Sequence, residues 1–239
     1  MSRVRPASAS GALREAAAAL ADGAVVAVPT DTVYGLAVDP AQPEAIERLF
    51  ALKGRPADVP LPILVAGREQ VALVADELEM AARALAGRYW PGPLTLVVPR
   101  RPGFTVDLGG RSTSHQTVGV RWPDHPVVVG LCELLGPLAV TSANLHGAPP
   151  ATTADEVIST FALSDLPAVV IDGGMCDGLP STVVECRGPA SRCLREGALP
   201  WSELHGPYEG AAGGRTDVIG TPGVDGAGPG GGHLWDAAR

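Results

Sequence analysis

Apolar and polar positions along the chain alternate between two periods, and the switches outline an α/β protein. Leu13, Ala16, Ala17 and Leu20 recur at helical spacing after Ser10, a residue able to cap the helix, and Asp22-Gly23 offers its stop. Val25 to Val28 reads as a short buried strand that ends at Pro29 and delivers Thr30-Asp31-Thr32-Val33-Tyr34-Gly35 at its carboxyl end. Pro43 to Leu52 predicts a helix with Ile46, Leu49 and Phe50 on one face. It stops at Lys53-Gly54-Arg55-Pro56, so the basic pair sits on a turn. Leu61 to Val65 predicts a strand and Glu77 to Tyr89 an amphipathic helix. Trp90-Pro91-Gly92-Pro93 then makes a rigid turn into a strand from Leu94 to Val98.

Arg101 to Gln116, rich in Gly, Ser and Thr, reads as a long surface loop. Beyond it the pattern predicts a strand from Val118 to Arg121, a helix around Val127 to Leu135 and a strand from Leu138 to Thr141 that runs into Ser142-Ala143-Asn144. Thr153 can cap a helix from Ala154 to Phe161, and Ala168 to Ile171, Thr182 to Cys186 and Cys193 to Arg195 predict three more strands. Strands that alternate with helices argue for a mixed or parallel sheet. Polar residues gather where its strands end, which is where α/β sheets place ligands. From Gly206 onward the chain is about one-third glycine with almost no apolar periodicity, too little to offset the entropy of ordering. One folded domain over 1–205 and a disordered Gly/Pro-rich tail over 206–239 are therefore expected.

Composition narrows the function. With 46% hydrophobic and 18% charged residues among 239, the chain falls in the ordinary globular class. A formal net charge of −8 opposes a polyphosphate backbone, so direct binding of RNA is expected to be weak or absent. No apolar run reaches the ~20 residues that span a bilayer, and the arginines near the start are followed by no apolar signal core. The expectation is a cytoplasmic protein without a membrane partner. The four cysteines have no C-x-x-C spacing and the five histidines no H-E-x-x-H, so no metal site is expected and the thiols read as buried or incidental.

Candidate chemistry is concentrated in three segments. Lys53 is the sole lysine among eighteen Lys and Arg residues, and a compact ammonium kept against that background suggests a point charge for phosphate. Arg55 adds a planar fork beside it, and together they suggest an anion clamp, although Lys53 also admits the plainer role of a surface cation. Thr30-Asp31-Thr32-Val33-Tyr34 packs hydroxyls, a carboxylate and a phenol into one turn, either a self-satisfied turn or a small polar pocket. Thr141-Ser142-Ala143-Asn144 has the same character. There is no G-x-S-x-G and no G-x-x-x-x-G-K-[ST], so a nucleotide site here is not a P-loop.

Seven segments in order, PTDTVYGLAVDP, LKGRP, WPGPLTLVV, TVGVRWPDHP, TSANLHGAPP, PSTVVE and LREGAL, resemble the YrdC/Sua5 family from about Ala12 to Leu199. The resemblance implies a twisted mixed parallel/antiparallel sheet flanked by helices, with a basic concave cavity, over the domain 1–205. It implies synthesis of L-threonylcarbamoyl-adenylate and pyrophosphate from L-threonine, bicarbonate or CO2, and ATP with Mg2+. The product would pass to a tRNA threonylcarbamoyl transferase complex for t6A37 modification. Carried onto this sequence, the family's K-x-R and S-x-N signature falls on Lys53, Arg55, Ser142 and Asn144, and the resemblance gives Lys53 and Arg55 the catalytic role. Thr117, Thr152 and Arg195 join those four in binding ATP, while Thr32, Arg121, Ser142 and Ser181 form the threonine pocket. Where many Sua5-type members carry a histidine, this chain has Pro62-Ile63-Leu64-Val65, and Leu64 cannot donate. That departure fits the shorter, single-domain YrdC type. Two other readings are open on the sequence: a non-catalytic RNA-binding or regulatory module, and a carbamoyl-adenylate-forming paralogue with another acceptor.

Overall fold

Ten strands pair edge to edge into one mixed sheet in the computed structural model, which describes residues 3–54, 59–110, 116–162, 166–187 and 191–204. From one edge to the other they are β1 (Arg3–Pro6), β8 (Val169–Asp172), β2 (Val26–Val28), β3 (Gly35–Val38), β7 (Leu138–Ser142), β4 (Ile63–Leu64), β6 (Thr117–Arg121), β5 (Leu94–Pro99), β9 (Thr182–Cys186) and β10 (Ser191–Arg195). The pairs β1–β8, β8–β2, β4–β6 and β5–β9 are parallel, and the remaining neighbours are antiparallel. The mixed sheet expected from the sequence is the one that forms.

Alternation along the strands sends side chains into two separate apolar layers. Val26 and Val28 join the layer of helices α1 (Ala12–Ala21) and α5 (Pro126–Leu135), whereas Ala27 between them joins the opposite one. Leu138 and Val140 flank Ala139 in the same way. The opposite layer receives α2 (Pro43–Lys53), α3 (Arg68–Val74), α4 (Met80–Tyr89), α6 (Ala154–Phe161) and the short α7 (Trp201–Leu204). Strands buried on both faces are therefore apolar at successive positions, which is why Val25–Val28 and Leu138–Thr141 read as continuous runs.

Coverage of the α1/α5 face stops partway across the sheet. Leu138 pairs with Leu64, Leu64 with Arg121, Gly119 with Val97, and Val183 with both Thr95 and Arg195, so these residues share one face. Beyond Leu64, none of them belongs to either apolar layer. Arg121, Thr95, Val183 and Arg195 instead front a cavity. The site thus occupies the half of the sheet face that α1 and α5 leave open.

Several boundaries differ from the sequence reading. α1 begins after Gly11, whose φ of 84° is a left-handed conformation open to glycine, and no side chain caps it, so Ser10 is not its N-cap. Thr153 does cap α6, accepting from the Glu156 amide. α2 includes Lys53, which moves that residue from the turn onto the last helical turn. Glu77–Tyr89 is helical only from Met80, and the preceding α3 was hidden because its seven residues carry just two buried positions, Val71 and Val74. β1, α7 and the strand β3 inside the polar motif are also additions to the reading. Residues 111–115 and the tail from 205 onward lie outside the described residues. No helix among the described residues is long and apolar enough to cross a membrane.

Gly197 links packing to the site. A Cβ there would sit 2.1 Å from the Pro180 carbonyl oxygen and 2.7 Å from the Ser181 carbonyl carbon, backbone atoms that cannot rotate away. Gly197→Ala should cost about 1–3 kcal/mol or more, as overpacking does. An unchanged urea midpoint would contradict this packing.

Candidate active site

A cavity of about 230 Å3 opens on the uncovered half-face. Its walls come from the β2–β3 hairpin, the end of α2, the carboxyl ends of β6 and β7, the loop before β9 and the end of β10. Lys53, Arg121, Arg195 and His146 line it, with no carboxylate among the described lining residues. Such a cavity favours anions even in a chain of net charge −8, because the local field is set by the nearest charges.

Lys53 is only 3% exposed, and its ammonium donates to the Ser142 carbonyl at 2.5 Å, the Asn144 carbonyl at 3.0 Å and Asn144 Oδ1 at 3.0 Å. Ser142 Oγ also donates to Asn144 Oδ1, at 2.6 Å, and Asn144 Nδ2 donates to the carbonyls of Leu145 and Ala148. Both lone pairs and both N–H groups of the amide are thereby used. The Lys53 carbonyl accepts from the His146 amide, so α2 and the 144–148 loop are tied twice. Lys53, Ser142 and Asn144 therefore form a knot that shapes one wall while placing a positive charge behind it.

Arg121 is buried more deeply than any surface cation, its side chain 7% exposed. Nη2 donates to Asp31 Oδ1 at 2.6 Å, Nη1 to Thr32 Oγ1 at 3.0 Å and Nε to the Gly92 carbonyl at 3.1 Å. Two of its five N–H groups, one on each terminal nitrogen, are left by these bonds among the described residues. Burial lowers its pKa while Asp31 raises it, and a guanidinium stays charged throughout. Thr30 Oγ1 donates its hydrogen to the Val33 carbonyl at 2.7 Å, so at the 2.9 Å contact Thr32 must be the donor. Accepting from Arg121 and donating to Thr30, the Thr32 hydroxyl has one lone pair to offer a ligand.

Arg195 reaches the cavity through a β-bulge. Cys193 pairs with Val184 but Arg195 pairs with Val183, so the register shifts by one and the arginine is carried onto the open face. Its Nη2 donates to the Ser181 carbonyl at 2.8 Å, whereas its buried Nε has no hydrogen-bond partner among the described residues. Burial lowers its pKa first, and the neighbouring charge of Arg121 lowers it further. Ser181 Oγ lies 2.8 Å from Thr95 Oγ1. Two buried guanidiniums close enough to repel, each with open donors, are suited to take up an anion.

Of the residues expected in the site, Thr32, Lys53, Arg121, Ser142, Asn144, Ser181 and Arg195 line this one cavity. Thr117 does not: it begins β6 while Arg121 ends it, two pleats along the same face. Thr152 also lies outside the lining, and its amide and hydroxyl both donate to Glu156 Oε2. Arg55 lies outside the described residues. The sequence reading assigns no role to Thr95 or His146, which line the cavity, and it counts Asp31 only as the carboxylate of the polar turn. Thr95 is the lone hydroxyl in an otherwise apolar strand, a signal that could have singled it out.

Among the described residues no group of three His, Cys, Asp or Glu side chains is placed to hold a metal. All four cysteines are free, and burial pushes each thiol up, that of Cys132 to about 12. Tyr34 is fully buried, donates to the Gly174 carbonyl at 2.9 Å and accepts from the Gly173 amide at 3.2 Å. Burial raises its phenol to about 12. A folded-state value above the ordinary one of about 10 means that the stability it adds is complete below that range and is lost as pH rises through the folded value. The absorbance difference between wild type and Tyr34→Phe should accordingly show one phenolate appearing near pH 12. A Tyr34 phenolate appearing near the ordinary value of about 10 would show that the phenol is not buried.

A family profile named Sua5_yciO_yrdC and described as telomere recombination matches residues 18–197. Threonylcarbamoyl-AMP synthase of Pyrococcus abyssi (strain GE5 / Orsay) is 40% identical over 194 residues, which are 80% of this chain and 56% of that protein. The protein of the same name from Enterobacter sp. (strain 638) is 40% identical over 167 residues, 69% of this chain and 86% of its own length. The crystal structure of P. abyssi Sua5 complexed with L-threonine matches with a TM-score of 0.72 at 40% identity, over 80% of this chain and 56% of that one. This chain thus spans little more than half of the Pyrococcus protein. E. coli YciO, 22% identical with a TM-score of 0.73 over 83% of this chain and 97% of its own, shares the fold. Since the profile spans every residue that lines the cavity, from Thr30 to Arg195, the chain and its site together belong to the Sua5/YciO/YrdC family.

Proposed function

We propose that the chain is an L-threonylcarbamoyl-adenylate synthase, converting L-threonine, bicarbonate or CO2, and ATP into threonylcarbamoyl-AMP and pyrophosphate. The observation that carries this reading is the convergence of Arg121 and Arg195, both buried and both with open donors, on one small cavity. About 230 Å3 suits a small amino acid and is below the usual range for larger ligands, so the nucleotide lies across the mouth with its α-phosphate directed inward. Both reactants are anionic at the ends that must meet, and oriented cations lower the barrier by holding them together.

In this reading the two open N–H groups of Arg121 take the amino-acid carboxylate bidentately, and the remaining lone pair of Thr32 accepts from the substrate's hydroxyl or amine. The neutral amine adds to CO2 and gives a proton to solvent, leaving a carbamate; from bicarbonate the same bond forms with loss of water. A carbamate oxygen then attacks the α-phosphorus of ATP as the bond from that phosphorus to the pyrophosphate oxygen breaks, and pyrophosphate leaves; magnesium bound with the triphosphate would balance its charge. Arg195 faces the phosphate through its open Nε, Arg55 of the K-x-R signature shares in binding it as the family resemblance implies, and Lys53 holds Ser142 and Asn144 in place while adding its charge. No side chain becomes covalently modified. The product goes on to a tRNA threonylcarbamoyl transferase complex for t6A37 modification, with the enzyme acting in the cytoplasm.

Threonine- and bicarbonate-dependent pyrophosphate release from ATP tests the reading. Lys53→Ala should lower kcat/KM by about 100-fold or more, the scale for losing an oriented charge in a desolvated site. Lys53→Arg should fail to restore it, because a planar fork does not converge three acceptors as an ammonium does. Equal rates in wild type and Lys53→Ala would sink the assignment. Arg121→Ala should raise the threonine requirement far more than the ATP requirement, and the reverse ranking would mean that the two subsites are exchanged. Turnover with another amino acid in preference to threonine would identify a paralogue with a different acceptor.

A further inference from the structure

Asp31 sits between the two hydroxyl residues of the hairpin turn, yet it is absent from the cavity wall that Thr30 and Thr32 line. Its Oδ1 is 2.6 Å from Arg121 Nη2, and the two side chains are 13% and 7% exposed. Oδ2 is buried without a hydrogen-bond partner among the described residues. A buried carboxylate that leaves one oxygen unpaired is expensive to keep, and the guanidinium it faces could not be buried without a counter-charge.

We infer that Asp31 is a positioning residue, acting through Arg121 to fix the guanidinium edge that takes the amino-acid carboxylate; this rests on the reading proposed above. Three acceptors on three different nitrogens hold the guanidinium, and they come from two separate segments, the 30–34 hairpin and the turn at Gly92. Gly92 O and Thr32 Oγ1 are neutral, so Asp31 supplies the one ionic anchor among them. Without it, Arg121 keeps two weaker bonds and faces the like charge of Arg195 alone, a repulsion already felt at Arg195. The guanidinium is then held by two neutral acceptors alone, and the direction of its two open N–H groups is no longer fixed.

The inference makes a prediction opposite in sign to charge counting. Removing a carboxylate makes the cavity more positive, which by Coulomb's law alone strengthens the binding of an anion. Positioning predicts the reverse for the amino acid and little change for the nucleotide.

In the full chain, Asp31→Asn should raise the threonine KM about tenfold or more while the ATP KM stays within about twofold. Asp31→Asn combined with Arg121→Ala should be no worse than Arg121→Ala alone, since the acid acts only through the arginine. A threonine KM that falls or holds, or additive losses in the double variant, would overturn the inference. Should Asp31→Asn not fold, Asp31→Glu keeps the charge but moves it by one methylene, and it should still raise the threonine KM selectively; no change would count against positioning. A readout independent of turnover is the Arg121 Nε–H resonance, assigned by its absence in Arg121→Lys. It should be sharp and slow to exchange in wild type and lost or shifted in Asp31→Asn. Were wild type inactive toward threonine while that resonance behaved as expected, the reaction would be wrong and the positioning right; an unmoved resonance would reject the positioning itself.

Discussion

A ten-stranded sheet whose apolar layer runs from β8 to β9 on one face but stops near Leu64 on the other has to do something with the strands left bare. Apolar side chains there would face solvent, and unpaired polar ones would serve no purpose in a closed core. This chain places Thr95, Gly119, Arg121 and Arg195 on the bare face and lets α1 and α5 end their coverage near Leu64. The cavity is thus the remainder of an incomplete apolar layer rather than a hole cut into a finished one. Its charge balance follows from burial. Arg121 goes in with Asp31, Lys53 with the Ser142 and Asn144 carbonyls, and Arg195 with the Ser181 carbonyl, so each cation has a partner before a ligand arrives.

Hydrogen-bond accounting separates two kinds of polar residue within that cavity. Asn144 has both lone pairs and both N–H groups occupied, which makes it a fastening between β7, α2 and the 144–148 loop. Arg121 and Arg195 keep donors open, while Thr32 and Ser142 donate their hydrogens inward and keep lone pairs open. Ligands therefore meet open donors at the arginines and open acceptors at the hydroxyls. A zwitterion or an amino acid with a hydroxyl has both complements, and a bare phosphate has one.

Sequence patterns exposed what burial alone dictates. β2, α2, α5, α6 and β9 emerge within a residue or two because each places apolar residues at a regular period, and Thr153 caps α6 as its position suggests. β1 has no such signal, since Arg3–Pro6 lies at the sheet edge with three exposed positions out of four. The site was half visible. Polar clusters after β2 and β7 stand out against apolar strands, and the ordered motifs tie them to Lys53 and Arg121. Arg195 is different: strict alternation puts it on the side of Cys193, and only the bulge turns it into the cavity. Asp31 looked like one more turn residue because its partner lies 90 positions away in the chain.

The separation in sequence of the cavity's parts also bears on what relatives of different length can share. Lining residues are drawn from 30 to 195, and the family profile runs from 18 to 197, so the pocket is self-contained within the common portion. The Enterobacter protein is nearly all matched, whereas almost half of the Pyrococcus protein lies beyond the match. Floor and walls are therefore built by the common fold, because they need the sheet register and the hairpin turn to converge. The mouth has no such requirement. Loop residues reach the lining too, His146 to Ala148 and Pro150 from one loop and Pro180 from the segment before Ser181, and their positions depend less on the sheet register than those of Thr95 or Arg121. Chemistry that depends on buried cations can thus be common to the family, while the loop part of the lining can vary from member to member.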